Sequence, residues 1–185
     1  MYENKDSEIS IIYPSDWEKR EYDGSIINFF TPPVDESDDF QENVSVVTIM
    51  LTNIDRNNNG IPDTITLDDY LEISKEEINT YISDYNEISI KDIKVGNLDA
   101  KRIVYTGSIV SESAETVSTG GTDGTGEASS EAGSSLETPY NNYKWIQVIV
   151  IHNRVAYLIT YTALPDSNTG YEEQFDTMIS NWRIR

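Results

Sequence analysis

Two apolar runs separated by only three residues are the strongest constraint in this sequence. Residues 145–151 and 155–161 are rich in β-branched and aromatic side chains, and His152, Asn153 and Arg154 lie between them. Side chains of neighbouring residues in a strand point to opposite faces of a sheet, and both runs have apolar residues at adjacent positions. They therefore predict a hairpin of central strands in a layered fold, with structure packed on each face of the sheet.

Five further segments have the composition of strands. They are rich in β-branched and aromatic residues and are bounded by Pro, Gly and Asp, although the fourth is weaker than the others. The segments cover residues 9–13, 26–30, 44–51, 88–95 and 100–110. Gly96 and Asn97 predict a tight turn between the last two.

A first helix is predicted from residue 67 onward. Apolar residues and one serine recur there at helical spacing, with charged residues mostly between them. Thr66 and Asp69 have the spacing of a capping box, which marks the start of the helix. The stripe consists of Leu67, Tyr70, Leu71, Ser74, Ile78, Tyr81, Ile82 and Tyr85.

A second helix is predicted near the end of the chain. Thr169 and Glu172 have the spacing of another capping box. The apolar stripe consists of Tyr171, Phe175, Met178, Ile179 and Trp182. Three of these five residues are aromatic, so we expect this face to pack on the sheet.

The order of these elements predicts an α+β fold in a single domain over residues 1–185. Its centre is an antiparallel sheet of about six or seven strands with helices packed on it, an α/β/α sandwich. Residues 111–139 differ in composition, since they consist mainly of Ser, Thr, Gly and Glu without Lys or Arg. We expect a disordered insertion at a hairpin tip, either a tolerated insertion or an arm that bears glycans or binds a partner.

Charge excludes several classes of partner. The formal charge is −20, from 33 acidic against 13 basic residues. Nucleic acids and anionic membranes need a positive surface, so we expect cations or basic surfaces instead. No cysteine is present, which excludes disulfides and thiolate metal sites. The longest apolar run is far shorter than the roughly 20 residues of a membrane span, so none is expected.

Residues 55–63 have the oxygen spacing of a calcium-binding loop. The candidate ligands are the side chains of Asp55, Asn57, Asn59 and Asp63 and the backbone carbonyl of Ile61. Gly60 occupies position six, where the chain bends sharply. The alternative interpretation is a strand-to-helix turn built from turn-forming Asn and Gly.

The loop differs from an EF-hand at position twelve. Thr66 stands there in place of the bidentate Glu, and its hydroxyl is already assigned to the helix cap. The loop is more similar to calcium repeats of secreted proteins, in which a later acidic residue completes the ligand shell. In this chain that residue would be Asp68 or Asp69. With two charged ligands, we expect a dissociation constant on the order of 10⁻⁴–10⁻³ M, which suits the cell exterior.

The sequence assigns no catalytic residue. His152 is the single histidine and lies in a predicted turn, which disfavours a Ser-His-Asp triad. No spacing singles out two of the many carboxylates as an acid/base pair. Asn43 begins a glycosylation sequon, which matters only in a secreted protein.

Six segments, read in order, resemble the PsbP-like family. Their sequences are IYPSDW at 12–17, FFTP at 29–32, LDDYL at 67–71, AKRIVY at 100–105, YLITYTA at 157–163 and FDTMI at 175–179. That family includes the extrinsic PsbP subunit of photosystem II, prokaryotic surface lipoproteins and, by fold, a Ran-binding nuclear-import factor. The resemblance implies the α/β/α fold and a non-catalytic role, but the matching residues belong to the scaffold and supply no site.

These observations favour a non-enzymatic, extracellular or surface-attached accessory domain. We expect it to bind a protein partner through a sheet edge or helix face, with calcium making one loop rigid. The alternatives are an intracellular adaptor, similar to the Ran-binding factor, and an enzyme that uses carboxylates. Residues 1–6 lack the apolar core of a signal peptide, so either the protein is cytoplasmic or a leader has been removed.

Overall fold

In the part of the chain that the structure describes, seven antiparallel strands form one sheet at the centre of the molecule. The computed structural model describes residues 1–22, 26–36, 38, 40–52, 55, 60, 63–109, 142–167 and 170–185. Its strands are β1 (Tyr2–Asn4), β2 (Ile9–Ile11), β3 (Glu18–Tyr22), β4 (Ile26–Phe30), β5 (Asn43–Met50), β6 (Ile82–Val95), β7 (Leu98–Ile109), β8 (Tyr143–His152), β9 (Val155–Ala163) and β10 (Arg183–Ile184), and its helices are α1 (Leu67–Tyr81) and α2 (Tyr171–Ser180).

The strand order is β3-β4-β5-β9-β8-β7-β6, and β1, β2 and β10 form a second, small sheet. Helix α2 and the small sheet pack on one face of the large sheet, and α1 packs on the other. The predicted α+β class and the number of strands are confirmed. The predicted insertion at 111–139 lies outside the described residues.

The β8–β9 hairpin lies in the middle of the large sheet, as predicted. Asn153 and Arg154 form its turn with φ values of 50° and 63°. Two consecutive residues with positive φ give a turn whose twist matches that of the paired strands. Val148 and Ile149 are adjacent and both fully buried, so β8 is covered on both faces.

The start of α1 is capped as the sequence predicts. The Thr66 hydroxyl accepts a hydrogen bond from the Asp69 amide at 3.2 Å, and the Asp69 carboxylate accepts one from the Thr66 amide at 3.0 Å. Tyr70, Leu71 and Ser74 are the buried residues of this helix.

The predicted end of α1 was wrong. The helix ends at Tyr81, and β6 begins at Ile82 without an intervening loop. Ile82 pairs with Ile109, because β7 is long enough to provide backbone partners there. Asp84 has a φ of 54° and lies at a shift in the pairing register. Because of this bulge, Ile82 and Tyr85 project to the same face of β6 although they are three residues apart, and both join the apolar cluster under α1. A separation of three residues is also typical of one helix face, which is why the sequence pattern predicted a longer helix.

Gly107 permits the close approach of β6 to β7 at this junction. A Cβ atom at this position would collide with Cγ2 of Ile82 and would lie 2.8 Å from the carbonyl oxygen of Ser83. The direct passage from helix to strand therefore depends on a residue without a side chain.

The predicted cap of α2 was also wrong. Gly170 is the N-cap residue, with a φ of 77° and no capping side chain, and Thr169 lies outside the described residues. The Glu172 carboxylate instead contacts Lys144 and Arg102 of the sheet beneath it. With Gly170 as the N-cap, Glu173 stands at the third helical position, so Glu172 is out of register for a capping box.

Trp182 follows the end of α2 and is fully buried. We predict that Trp182→Ala lowers the free energy of unfolding by about 3–5 kcal/mol, the usual cost of removing a buried indole. Tyr81→Ala is the matched control, since Tyr81 is 69% exposed and its loss should cost within about 0.5 kcal/mol. Chemical denaturation of both variants measures the two free energies of unfolding. Equal values would contradict the assignment of Trp182 to the core.

Candidate binding face and metal loop

One face of the large sheet is only partly covered by the described residues. Paired residues of adjacent strands project from the same face of a sheet. The pairing places Arg20, Asn28, Ser45, Thr160 and Gln147 in one row across five strands, on the side of α1. Helix α1 packs on β6, β7 and β8, so it covers the Gln147 end of this row and not the other.

A second row runs parallel to the first. It contains Glu18, Phe30, Asn43, Thr162 and Trp145. We call the part of β4, β5 and β9 covered by these two rows the polar half-face, which consists of Asn28, Phe30, Asn43, Ser45, Thr160 and Thr162. All six are partly exposed. The next row on the same side is apolar at Val47 and Leu158, which pair with each other.

The opposite side of the same three strands is apolar. Ile27, Phe29, Val44, Val46 and Tyr161 are buried there under α2 and the small sheet. The alternation of polar and apolar residues at 43–46 of β5 and in the second half of β9 indicates one exposed face there. The expectation that β9 is covered on both faces along its whole length was therefore wrong beyond Ile159.

A chain of hydrogen bonds connects α1 to the polar half-face. The Ser74 hydroxyl donates to Oε1 of Gln147 at 3.0 Å, and Nε2 of Gln147 donates to the Thr160 hydroxyl at 3.3 Å. Ser74 and Gln147 are buried, and these bonds satisfy polar groups that would otherwise be costly to bury. A polar residue is therefore tolerated at position 74 of the apolar stripe of α1, because Gln147 of the sheet accepts its hydrogen bond.

Aromatic rings border the polar half-face at one end. Tyr143 lies between Phe40 and Trp145, with ring centroids 5.4 Å and 5.6 Å away. The guanidinium of Arg20 lies 4.3 Å from the centre of the Phe30 ring, a cation–π distance. Sequence analysis did not identify this arrangement, because it depends on strand order.

The polar half-face carries no ionisable side chain. Strands β4, β5 and β9 contain no Asp, Glu, Lys or Arg. At the margin, Arg20 is paired with Glu18 through two hydrogen bonds of 2.8 Å and 2.9 Å. The edge strand β6, by contrast, carries exposed charges, among them Lys91 and Asp92.

The predicted calcium loop is described at Asp55, Gly60 and Asp63. Gly60 has a φ of 79°, and its amide donates a 2.6 Å hydrogen bond to the Asp55 carboxylate. Asn57, Asn59 and Ile61 lie outside the described residues, so the proposed ligand set stays a prediction. Within the described ranges, no three residues of the His, Cys, Asp and Glu types form a metal site.

The two acids expected to complete the calcium shell have other partners. Asp69 closes the capping box, and Asp68 lies 2.7 Å from the Lys101 ammonium. Asp92 lies 2.6 Å from the same ammonium. Hydrogen bonds to these two carboxylates hold the pKa of Lys101 well above its ordinary value.

The described residues on either side of the loop lie beside the turn of the central hairpin. A cavity of about 250 Å³ is lined by Leu51 and Asp63 from either end of the loop and by Arg154 from the turn. The Leu51 amide donates to the Arg154 carbonyl at 2.8 Å.

The acidic residue Glu172 has a structural role at the start of α2. Its carboxylate lies 2.6 Å from Lys144 and 3.2 Å from Arg102. Partial burial alone would raise the pKa of Glu172, but hydrogen bonds and charges from Lys144 and Arg102 together hold it below the ordinary value of 4.5. His152, weighed above as a catalytic base, is the last residue of β8 and pairs with Val155 in the hairpin.

Comparison with known proteins identifies the fold. No protein-family model matches the chain, and no curated protein matches its sequence. The protein of unknown function PA94 from Pseudomonas aeruginosa aligns with a TM-score of 0.58 at 12% identity over 96% of this chain and 97% of its own. The cyanobacterial PsbP protein CyanoP from Synechocystis sp. PCC 6803 aligns with a TM-score of 0.56 at 11% identity, over 100% and 91%.

The chain has a PsbP-like fold. LpqN of Mycobacterium tuberculosis, a protein involved in cell envelope biogenesis, also shares it, with a TM-score of 0.53 at 10% identity over 94% of this chain and 81% of its own. Identities this low establish the fold alone, which confirms that part of the resemblance. Neither described helix has the length and apolar character needed to cross a membrane.

We predict that Glu172→Gln lowers the stability by up to about 1 kcal/mol at pH 7, since the paired carboxylate is partly exposed. Because the folded-state pKa is lowered, this stabilisation is complete above the unfolded pKa near 4.5 and is lost as the pH falls through the folded value. The melting temperatures of parent and variant should therefore differ at pH 7 and become equal as the pH is lowered to 3. Glu173→Gln, at an exposed position in the same turn, is the control, and an equal effect there would exclude the Lys144 and Arg102 contacts as the cause.

Proposed function

We propose that this protein is a non-catalytic accessory domain of the cell exterior that binds another surface component through the polar half-face. The observation that carries the proposal is the contrast between the two sides of β4, β5 and β9. One side is filled with apolar residues, and two neighbouring rows on the other side present Asn, Ser and Thr side chains bordered by aromatic rings. Loss of water from such neutral groups costs less than loss of water from charges, which suits a contact surface.

The described ion pairs support binding in preference to catalysis. Glu172 is paired with cations of the sheet, Asp68 with Lys101, and Glu87 with Lys75 at 3.1 Å. Each pair connects a helix to the sheet, so these acids have a structural use. Their placement gives no support to an acid/base pair in a cleft.

An exterior location is supported by the loop and by one protein of similar fold. A calcium site with two charged ligands would bind in the range of extracellular modules, on the order of 10⁻⁴–10⁻³ M. LpqN, which shares the fold, is involved in cell envelope biogenesis. Under this proposal, calcium bound at residues 55–63 makes the loop rigid beside the hairpin turn.

We predict that calcium binds one site with a dissociation constant on the order of 10⁻⁴–10⁻³ M. Amide NMR during a calcium titration should show saturable shifts between residues 57 and 63. Asp55→Ala combined with Asp63→Ala should abolish these shifts without unfolding the sheet, whereas Asp166→Ala at another turn should preserve them. Unchanged spectra of the parent protein at saturating calcium would leave the loop as a simple turn.

We predict that two cations placed on the polar half-face block binding. Asn28→Arg combined with Thr162→Arg should leave the melting temperature close to that of the parent, because both sites are partly exposed and do not pair with each other. The matched control is Asn79→Arg with Thr80→Arg, which adds the same charge to the exposed surface of α1.

Immobilised parent, half-face variant and helix variant are compared for capture of solubilised cell-surface material. We expect the parent and the helix variant to capture this material and the half-face variant to lose it. Equal capture by all three proteins would show that the polar half-face is not the contact surface, and the proposed function would fail.

A further inference from the structure

The polar half-face has no charged side chain, and this limits the classes of ligand that it can bind. The chain carries a formal charge of −20, yet none of the six side chains is ionisable. Exposed positions on β6 show that charges occur elsewhere on this sheet. A basic protein or a metal ion would need carboxylates at the contact, and a nucleic acid would need cations.

An apolar partner also fits this surface poorly. Phe30 is the apolar member of the set, and the other five side chains carry amide or hydroxyl groups. An apolar helix seated there would remove water from those groups without replacing its hydrogen bonds. Each unpaired group would cost free energy that the contact with one aromatic ring could not offset.

The same groups are complementary to hydroxyl-rich chains. Asn28 and Asn43 each offer two N–H donors and one carbonyl acceptor, and the hydroxyls of Ser45, Thr160 and Thr162 both donate and accept. A sugar hydroxyl also does both. Neighbouring strands are spaced by about 4.8 Å, so an extended chain lying along a row would meet a polar side chain at each strand.

The aromatic border provides the second element of such a site. The C–H faces of a sugar ring are apolar and pack against aromatic rings. Tyr143 is partly exposed and is held in place by Phe40 and Trp145, and Phe30 lies within the half-face itself. Rings fixed by their neighbours lose little conformational freedom on binding.

We infer that the polar half-face binds a neutral polysaccharide of the cell surface. The inference rests on the proposed function and replaces the protein partner expected from the sequence with a hydroxyl-rich chain. Amide and hydroxyl side chains of the two rows hydrogen-bond the sugar hydroxyls, while Tyr143 packs against a ring face. Binding depends little on ionic strength, because the six side chains are uncharged and Arg20, beside Phe30, is already paired with Glu18.

The test is an NMR titration of the full chain with four neutral hexasaccharides, namely β-1,4-glucan, α-1,4-glucan, β-1,4-mannan and β-1,4-xylan. The expected result is that at least one shifts the side-chain amide signals of Asn28 and Asn43 and the backbone amides of β4, β5 and β9. Absence of shifts with all four at millimolar concentration would overturn the inference. This arm uses the unsubstituted protein, so it does not depend on the folding of any variant.

Single substitutions locate the contact. Asn28→Ala and Asn43→Ala should each weaken the binding of the responding hexasaccharide about 2–10-fold, the loss expected for one hydrogen bond. Asn79→Ala, on the exposed side of α1, is the matched control and should leave the affinity unchanged. Equal weakening by all three variants would contradict a contact at the polar half-face.

A parallel titration with oligo-lysine separates this inference from the proposed function. If the half-face signals respond to oligo-lysine and to no hexasaccharide, the ligand class is wrong and a basic protein becomes the partner, while the proposed binding function stands. If the capture experiment shows no effect of the half-face variant, the proposed function itself fails.

Discussion

The hairpin formed by β8 and β9 is the feature on which the rest of the structure depends. Val148 and Ile149 are adjacent and fully buried, so this part of the sheet must be covered on both faces. Helix α1 covers one face, and α2 with the small sheet covers the other. The α/β/α arrangement follows from the need to remove both sides of one hairpin from water, since apolar burial is the main stabilising contribution to folding.

Ion pairs connect both helices to the sheet. A chain with 33 acidic and 13 basic residues has few cations, and several of them lie at the contacts between helix and sheet. Lys101 joins Asp68 of α1 to Asp92 of β6, while Arg102 and Lys144 join Glu172 of α2 to β7 and β8. Individual exposed pairs contribute little, but these pairs also neutralise acids that would otherwise repel one another.

Among the described residues, the cover on the side of α1 is incomplete, and this gives the proposed function its location. One helix is too narrow to cover seven strands, so β4, β5 and β9 present polar residues there. A surface of Asn, Ser and Thr side chains stays hydrated without attracting the basic partners that the overall charge favours. The chemistry of this surface supports the proposed function, since the PsbP-like fold by itself does not specify one.

The sequence by itself determined the features that depend on neighbouring residues. The hairpin turn at Asn153 and the capping box at Thr66 follow from short-range backbone chemistry, and the sheet's buried strands follow from composition. Tertiary structure decided the rest. The end of α1 at Tyr81 depended on pairing of Ile82 with β7, and the Glu172 carboxylate pairs with cations of β7 and β8 that are distant in sequence. The polar half-face was decided in the same way, because residues distant in sequence become one surface only through strand order and register.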